Sequence, residues 1–297
     1  MSGNPTPVER VVRANGVDLA CRLEGNPAHP PVLLIMGFNM NLEAWPEPYV
    51  QGLVRRGYYV IRFDNRDAGM SSRITGTRPV SIPWIAQARL LGLRLPTPYG
   101  LEDMAEDAAG ILDQLTTRPA HVIGVSMGGM IAQLLAIAHP DRIRSLGLLM
   151  THSGSTAYAI PSARLLSLIF RQPGNTPEAQ LNYYREFWNT VSGPSYPLDP
   201  DEVDAMTLTS ARRSPQPHGR HRQLAAVISA PDRRPHLKSL AVPTSIIHGS
   251  ADPLIPCRGG KALARAIPGA RLKVIEGLGH TLPNELADDM LDFVLAP

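Results

Sequence analysis

Residues His121–Gly129 read HVIGVSMGG, and this segment constrains the fold more than any other. An apolar run of strand type ends on Gly124-Val125-Ser126-Met127-Gly128, and an apolar run of helical period, Met127–Ala138, begins at once. Passing from strand to helix so abruptly requires a sharp corner. Small residues at 124 and 128 let neighbouring backbone approach that corner. The corner strains Ser126 and aims the free N–H groups of the helix start toward it. The Gly-x-Ser-x-Gly pattern is weak by itself; the strand before it and the helix after it make it specific.

The flanking sequence repeats this rhythm. Val11–Val12 and Val17–Cys21 surround Asn15-Gly16, a hairpin signal, so the chain is expected to open with two antiparallel strands. Strands are then predicted at Val32–Met36, Tyr58–Phe63, Ala120–Val125, Ile143–Met150, Thr244–His248 and Arg271–Ile275. Between them lie helical patterns at Pro48–Arg56, Leu101–Leu115, Met127–Ala138, Cys257–Ile267 and Asn284–Leu295. Short, wholly apolar strands separated by helices predict an α/β fold, a mostly parallel, doubly wound sheet covered on both faces. Two segments break the alternation. Residues 79–100 form an apolar insertion with a helix candidate at Ile82–Leu93, and residues 151–240 hold helices without a clear strand. The expected organisation is a core of residues 1–150 and 241–297 with an inserted helical cap, 151–240, over the sheet's carboxyl edge.

A serine hydroxyl is a poor nucleophile near neutral pH and needs a base within reach. Of nine histidines, His280 in EGLGHTL follows the last predicted strand by a glycine-rich loop, where an imidazole can reach over the sheet edge. His152 is the rival for that role and a candidate pocket residue; His248 ends a strand on the wrong side of the acid. The base needs a carboxylate to fix its tautomer. Asp252 in HGSADPLIP supplies one just past a strand, and the order Ser, Asp, His suits a serine on such a corner. The other possible place for the acid, THSGSTAY after Ile143–Met150, has no carboxylate. A developing oxyanion needs two fixed donors. The backbone N–H groups of Met127 and of Phe38, just past the sharp turn at Gly37, are the candidates, with Asn39 or Asn41 supporting that loop. Trp84 and Trp188 join Gly37 and His152 as candidate substrate contacts.

The remaining composition mainly excludes. Net charge is +3, too little for a general nucleic-acid binder. The densest basic stretch, Arg212–Arg222, holds no aromatic residue and is expected to be solvated surface. No run approaches the ~20 apolar residues that span a bilayer, and MSGNPTPVERVV has no apolar signal core. Cys21 and Cys257 make no disulfide framework and no metal cluster. A cytoplasmic enzyme without metal or other cofactor is the expectation.

The segments LLIMGFNMN, RFDNRDAGMSS, GVSMGGMIAQLLA, HGSADPLIP and GLGHTLP, in this order, resemble the α/β-hydrolase superfamily over nearly the whole chain. MGFNMN and FDNRDAGMSS are most similar to a bacterial esterase group that includes the anthracycline (aclacinomycin-type) methylesterases. The resemblance implies a carboxylesterase acting on a small-molecule ester. In many members a histidine precedes the oxyanion glycine; here Met36 stands there. Many also carry D-x-R-G-x-G-x-S, where this chain places Asp67 at the first of those glycines. That segment is expected to be a structural turn, with Arg66 pairing a nearby carboxylate. GVSMGG is also similar to cofactor-free perhydrolases, which use the same triad with peroxide, and some relatives are non-catalytic sensors.

Overall fold

A computed structural model describes residues 6–75, 81, 83–84, 87–88, 91, 93, 97–155, 158, 161–171, 174, 176–213 and 219–296. Much of the predicted Ile82–Leu93 helix therefore lies outside the described residues. Among the described residues eight strands form one sheet: β1 (Val8–Ala14), β2 (Val17–Glu24), β3 (Pro31–Ile35), β4 (Tyr59–Phe63), β5 (Ala120–Val125), β6 (Ile143–Leu149), β7 (Thr244–Gly249) and β8 (Arg271–Ile275). Their spatial order is β1-β2-β4-β3-β5-β6-β7-β8. Only the β1–β2 and β2–β4 pairings are antiparallel. Asn15 and Gly16 close the opening hairpin at φ +45° and +78°, the left-handed pair that a two-residue hairpin turn requires.

Alternation along the buried strands feeds two cores. In β3, Leu33 and Ile35 join one cluster, while Val32 and Leu34 join the other. The first is completed by α2 (Leu101–Leu115) and α3 (Met127–Ala138), the second by α1 (Glu47–Arg55) and α10 (Ala287–Leu295). The fold is thus an α/β, doubly wound sheet with helices on both faces, and α9 (Arg258–Ala266) packs beside β7.

Between β6 and β7 come α4 (Ala163–Phe170), α5 (Pro177–Val191), α6 (Pro200–Arg213), α7 (Arg220–Ser229) and the single turn α8 (Arg234–Leu237). Thr176 starts α5 by accepting from the Ala179 N–H at 3.2 Å, with Pro177 at the first helical position. Phe187 and Trp188 of α5 pack against the cluster of Leu165, Leu168 and Val191, and Leu254 from the loop after β7 packs against the same cluster. Among the described residues no helix is long and apolar enough to cross a membrane.

Within the basic stretch 212–222, of which residues 214–218 lie outside the described residues, Arg213 and Arg222 depart from the expectation of a solvated surface. Arg213 is only 8% exposed and donates to Asp64 at 2.9 Å. Arg222 donates twice to Asp67, at 2.7 and 2.6 Å. Both carboxylates lie in the turn after β4, so these cations fasten the helices to the sheet. A charge run shows its solvated alternative in sequence and hides partners about 150 residues away. In the same turn, Arg66 is buried against Asp107, with Nη2 2.5 Å from Oδ1.

Candidate active site

Ser126 occupies the corner between β5 and α3 with φ +56° and ψ −118°. Such a conformation costs a non-glycine residue about 1–3 kcal/mol and persists only where its surroundings hold it. Its N–H donates to Leu149 O at 2.9 Å, and its carbonyl accepts from the Thr151 hydroxyl at 2.7 Å. A Cβ on Gly128 would run into the Ile35 carbonyl, and one on Gly124 into the Gly128 carbonyl. The two glycines thus admit the backbone packing that forces Ser126 outward. Met127, first residue of α3, has no intrahelical acceptor for its N–H.

Asp252 is fixed on all sides. Its Oδ1 accepts from the N–H groups of Leu254 and Ile255 at 2.9 and 2.8 Å. Its Oδ2 lies 2.7 Å from His280 Nδ1, and since a carboxylate only accepts, Nδ1 carries the proton. That leaves Nε2 as the free acceptor of the imidazole. The side chain of Asp252 is fully buried; burial alone would raise its pKa, but the facing His280 and hydrogen bonds from His248 and His280 hold the carboxyl well below its usual range. The loop carrying His280 hangs on the end of α5: His280 N–H donates to Val191 O at 2.6 Å and Gly279 N–H to Ser192 O at 2.9 Å.

Ser126 and His280 open onto one cavity of about 480 Å³. Gly37, Phe38 and Trp188 also line it, with Met36, Met150 and Phe187 among its apolar walls. Gly37 runs against Ser126, since a Cβ there would sit 3.3 Å from Ser126 Cβ. The loop is held by Asn65, whose Nδ2 donates to Met36 O at 3.0 Å, and by Asn41, which donates to Ser210 O at 3.0 Å. Asn39 is tied through its backbone N–H, which donates to Gln223 Oε1 at 2.9 Å.

Two expected substrate contacts lie elsewhere. His152 does not line the cavity; it is buried, its Nδ1 accepts from the Gly154 N–H at 2.9 Å, and its carbonyl accepts from Arg233 at 2.9 Å. The strand β6 does end beside Ser126, but the chain turns inward there and spends the imidazole on its own backbone. Trp84 is 59% exposed and is absent from the cavity walls. His248, set aside in the sequence, stands beside the acid with Nε2 3.4 Å from Asp252 Oδ2. Their spacing of four residues across a strand end was its only signal. Among the described residues no group of three His, Cys, Asp or Glu side chains could hold a metal ion.

Residues 30–283 match the family described as alpha/beta hydrolase fold. The chain is 31% identical over 296 residues to the rhodomycin D methylesterase of Streptomyces peucetius, covering 92% of each chain. It is equally similar, at 31% identity over 92% of each, to the rhodomycin D methylesterase of Streptomyces sp. (strain C5). Among solved structures, a hydrolase from Pseudomonas aeruginosa PA01 superposes with a TM-score of 0.70 at 25% identity, over 100% of both chains.

Proposed function

The chain belongs to the α/β-hydrolase family, and from that premise we propose that it is a serine esterase acting on small to medium apolar carboxylic esters, with Ser126, His280 and Asp252 as its triad. The observation that carries the reading is the 2.7 Å contact of Asp252 Oδ2 with His280 Nδ1, made by a histidine that shares one cavity with the strained Ser126. Similarity to rhodomycin D methylesterases supports a methyl ester among the substrates.

Ser126 Oγ attacks the ester carbonyl carbon while His280 Nε2 takes the hydroxyl proton. The N–H groups of Phe38 and Met127 hold the resulting oxyanion. The bond to the alcohol oxygen breaks as His280 returns the proton to the leaving alcohol. Water, deprotonated by the same Nε2, then attacks the acyl-enzyme and frees the acid and Ser126. Asp252 keeps the imidazole oriented and stabilises its charged form. In this reading residues 1–150 and 241–297 carry the chemistry, residues 151–240 form a cap, and Trp188 and Gly37 contact substrate.

The test is a panel of methyl and p-nitrophenyl esters of graded acyl size, run on the wild type and on Ser126→Ala. Ester cleavage by the wild type and loss of turnover in a variant with unchanged circular dichroism are expected. Activity within tenfold of wild type in Ser126→Ala sinks the assignment. Peracid formation from the same acids with peroxide, outpacing ester cleavage, would favour the perhydrolase reading.

A further inference from the structure

We propose that Gln223, on α7, is a positioning residue for the oxyanion loop, acting from the cap on the peptide that presents the Phe38 N–H. The inference rests on the serine-esterase reading above. Gln223 is wholly buried. Its Oε1 accepts from the Asn39 N–H at 2.9 Å, and its Nε2 donates to the Arg66 carbonyl at 2.9 Å. An amide turned the other way would set donor against donor and acceptor against acceptor, so both contacts together fix its orientation.

The placement of these contacts along the loop matters more than their number. The Phe38 N–H belongs to the Gly37–Phe38 peptide. The peptide before it, Met36–Gly37, is held through its carbonyl by Asn65 Nδ2 at 3.0 Å. The peptide after it, Phe38–Asn39, is held through its N–H by Gln223. The donor peptide is therefore bracketed. It needs the bracket because Gly37 supplies no side chain to restrain it, and a Cβ there would sit 3.3 Å from both Ser126 Cβ and Val125 O. Asn39 itself has φ +58°, a left-handed conformation that relaxes unless held.

Gln223 is in turn anchored to a rigid part of the sheet. Its neighbour Arg222 is forked onto Asp67, and Asp67 also accepts from the Tyr99 hydroxyl at 2.8 Å and the Ile74 N–H at 2.9 Å. The residue carrying the acceptor carbonyl, Arg66, is locked against Asp107. Asp67, which stands where the superfamily pattern has glycine, thereby gains a role: it seats the helix turn that carries Gln223.

An oxyanion donor works only when it meets the developing charge at hydrogen-bond distance, and a misplacement of about 1 Å can cost on the order of 100-fold. Ground-state binding does not depend on that geometry. Removing the tether should therefore lower kcat and leave KM almost unchanged.

The experiment compares the wild type, Gln223→Met and Gln223→Glu. Gln223→Met keeps size and removes both hydrogen bonds; Gln223→Glu keeps an acceptor for the Asn39 N–H. Active sites are counted by the amplitude of labelling with a p-nitrophenyl phosphonate, so that misfolded protein does not enter the rates. Per labelled site, Gln223→Met should lose about 10- to 100-fold in kcat with KM within threefold. Its inhibition constant for a trifluoromethyl ketone, a mimic of the tetrahedral intermediate, should weaken in step with kcat/KM. Gln223→Glu sets its second oxygen against the Arg66 carbonyl, so it too should fall below the wild type per labelled site. The proposal is overturned if Gln223→Met retains wild-type kcat and ketone affinity per site, if only the number of labelled sites falls, or if KM rises with kcat unchanged. Wild-type protein that takes no phosphonate label overturns the serine-esterase reading, and this inference with it.

Discussion

The buried imidazole of His248 reaches within 3.4 Å of Asp252 Oδ2, the same oxygen that His280 faces. His248 Nε2 also lies 2.8 Å from the Ile255 carbonyl, so that nitrogen carries the hydrogen and directs it between two acceptors. His248→Phe keeps the volume but leaves Ile255 O without this donor and Asp252 with one donor fewer. Leaving a buried carbonyl such as that of Ile255 unmet costs about 1–3 kcal/mol. Lower stability in urea together with a several-fold drop in kcat is expected. Unchanged values of both would show that His248 only fills space.

Asp67→Gly restores the superfamily residue and should nonetheless destabilise the protein. Glycine relieves the strain of φ +67°, worth about 1–3 kcal/mol. The substitution also strips the Arg222 guanidinium and the buried Tyr99 hydroxyl of their shared carboxylate. Removing one partner of a buried pair costs about 3–5 kcal/mol, less here because Arg222 is partly exposed. A net loss of about 1–2 kcal/mol follows, read as a lower urea midpoint. A gain in stability would mean that the strain outweighs the ion pair.

His121 sets a pH window for stability. Burial, helped by the charge of Arg144, lowers its imidazole from 6.5 to about 4. Between these values the unfolded chain binds a proton that the folded one refuses, so acidification favours unfolding. The stabilising contribution is complete above pH 6.5, is lost as pH falls toward 4, and changes no further below. His121 Nδ1 lies 2.7 Å from Ser145 Oγ, and the ring stacks edge-on with Tyr58, so a glutamine keeps a polar partner without the titration. Denaturation at pH 7.5 and 4.5 should show a smaller difference for His121→Gln than for the wild type, with about pH 4–6.5 as the sensitive range.

The limited volume of the cavity, about 480 Å³, predicts an acyl-length optimum. Each methylene buried against Met36, Met150 and Phe187 adds about 0.8 kcal/mol until the space is filled. kcat/KM across p-nitrophenyl esters should rise over the first few carbons and then fall. A profile still climbing at the longest chains would point to an open, lipase-like cleft.

The strands were legible because most are buried on both faces and read as unbroken apolar runs, β5 and β6 to within a residue of their ends. The meeting of Asp252 with His280 could be read from chain order, since each follows a strand of one parallel sheet whose carboxyl ends converge. Gln223 could not be read so. It meets Asn39 across 184 residues, and a single glutamine on a polar helix has no periodic signature. His152 misled for a related reason: strand order places it at the pocket, but a local turn decides where its ring points. Arg213 and Arg222 misled because their partners are isolated carboxylates in a distant turn.

The loop that carries His280 hangs from the last carbonyls of α5, at Val191 and Ser192. Helix ends fray before sheets melt. Warming that loosens this one end would displace the imidazole while the sheet remains intact, so on the proposed triad thermal inactivation should precede thermal unfolding. The same attachment bears on recombination: grafting the helices of a relative onto this sheet would exchange the cavity wall at Phe187 and Trp188 and the suspension of the His280 loop in a single step.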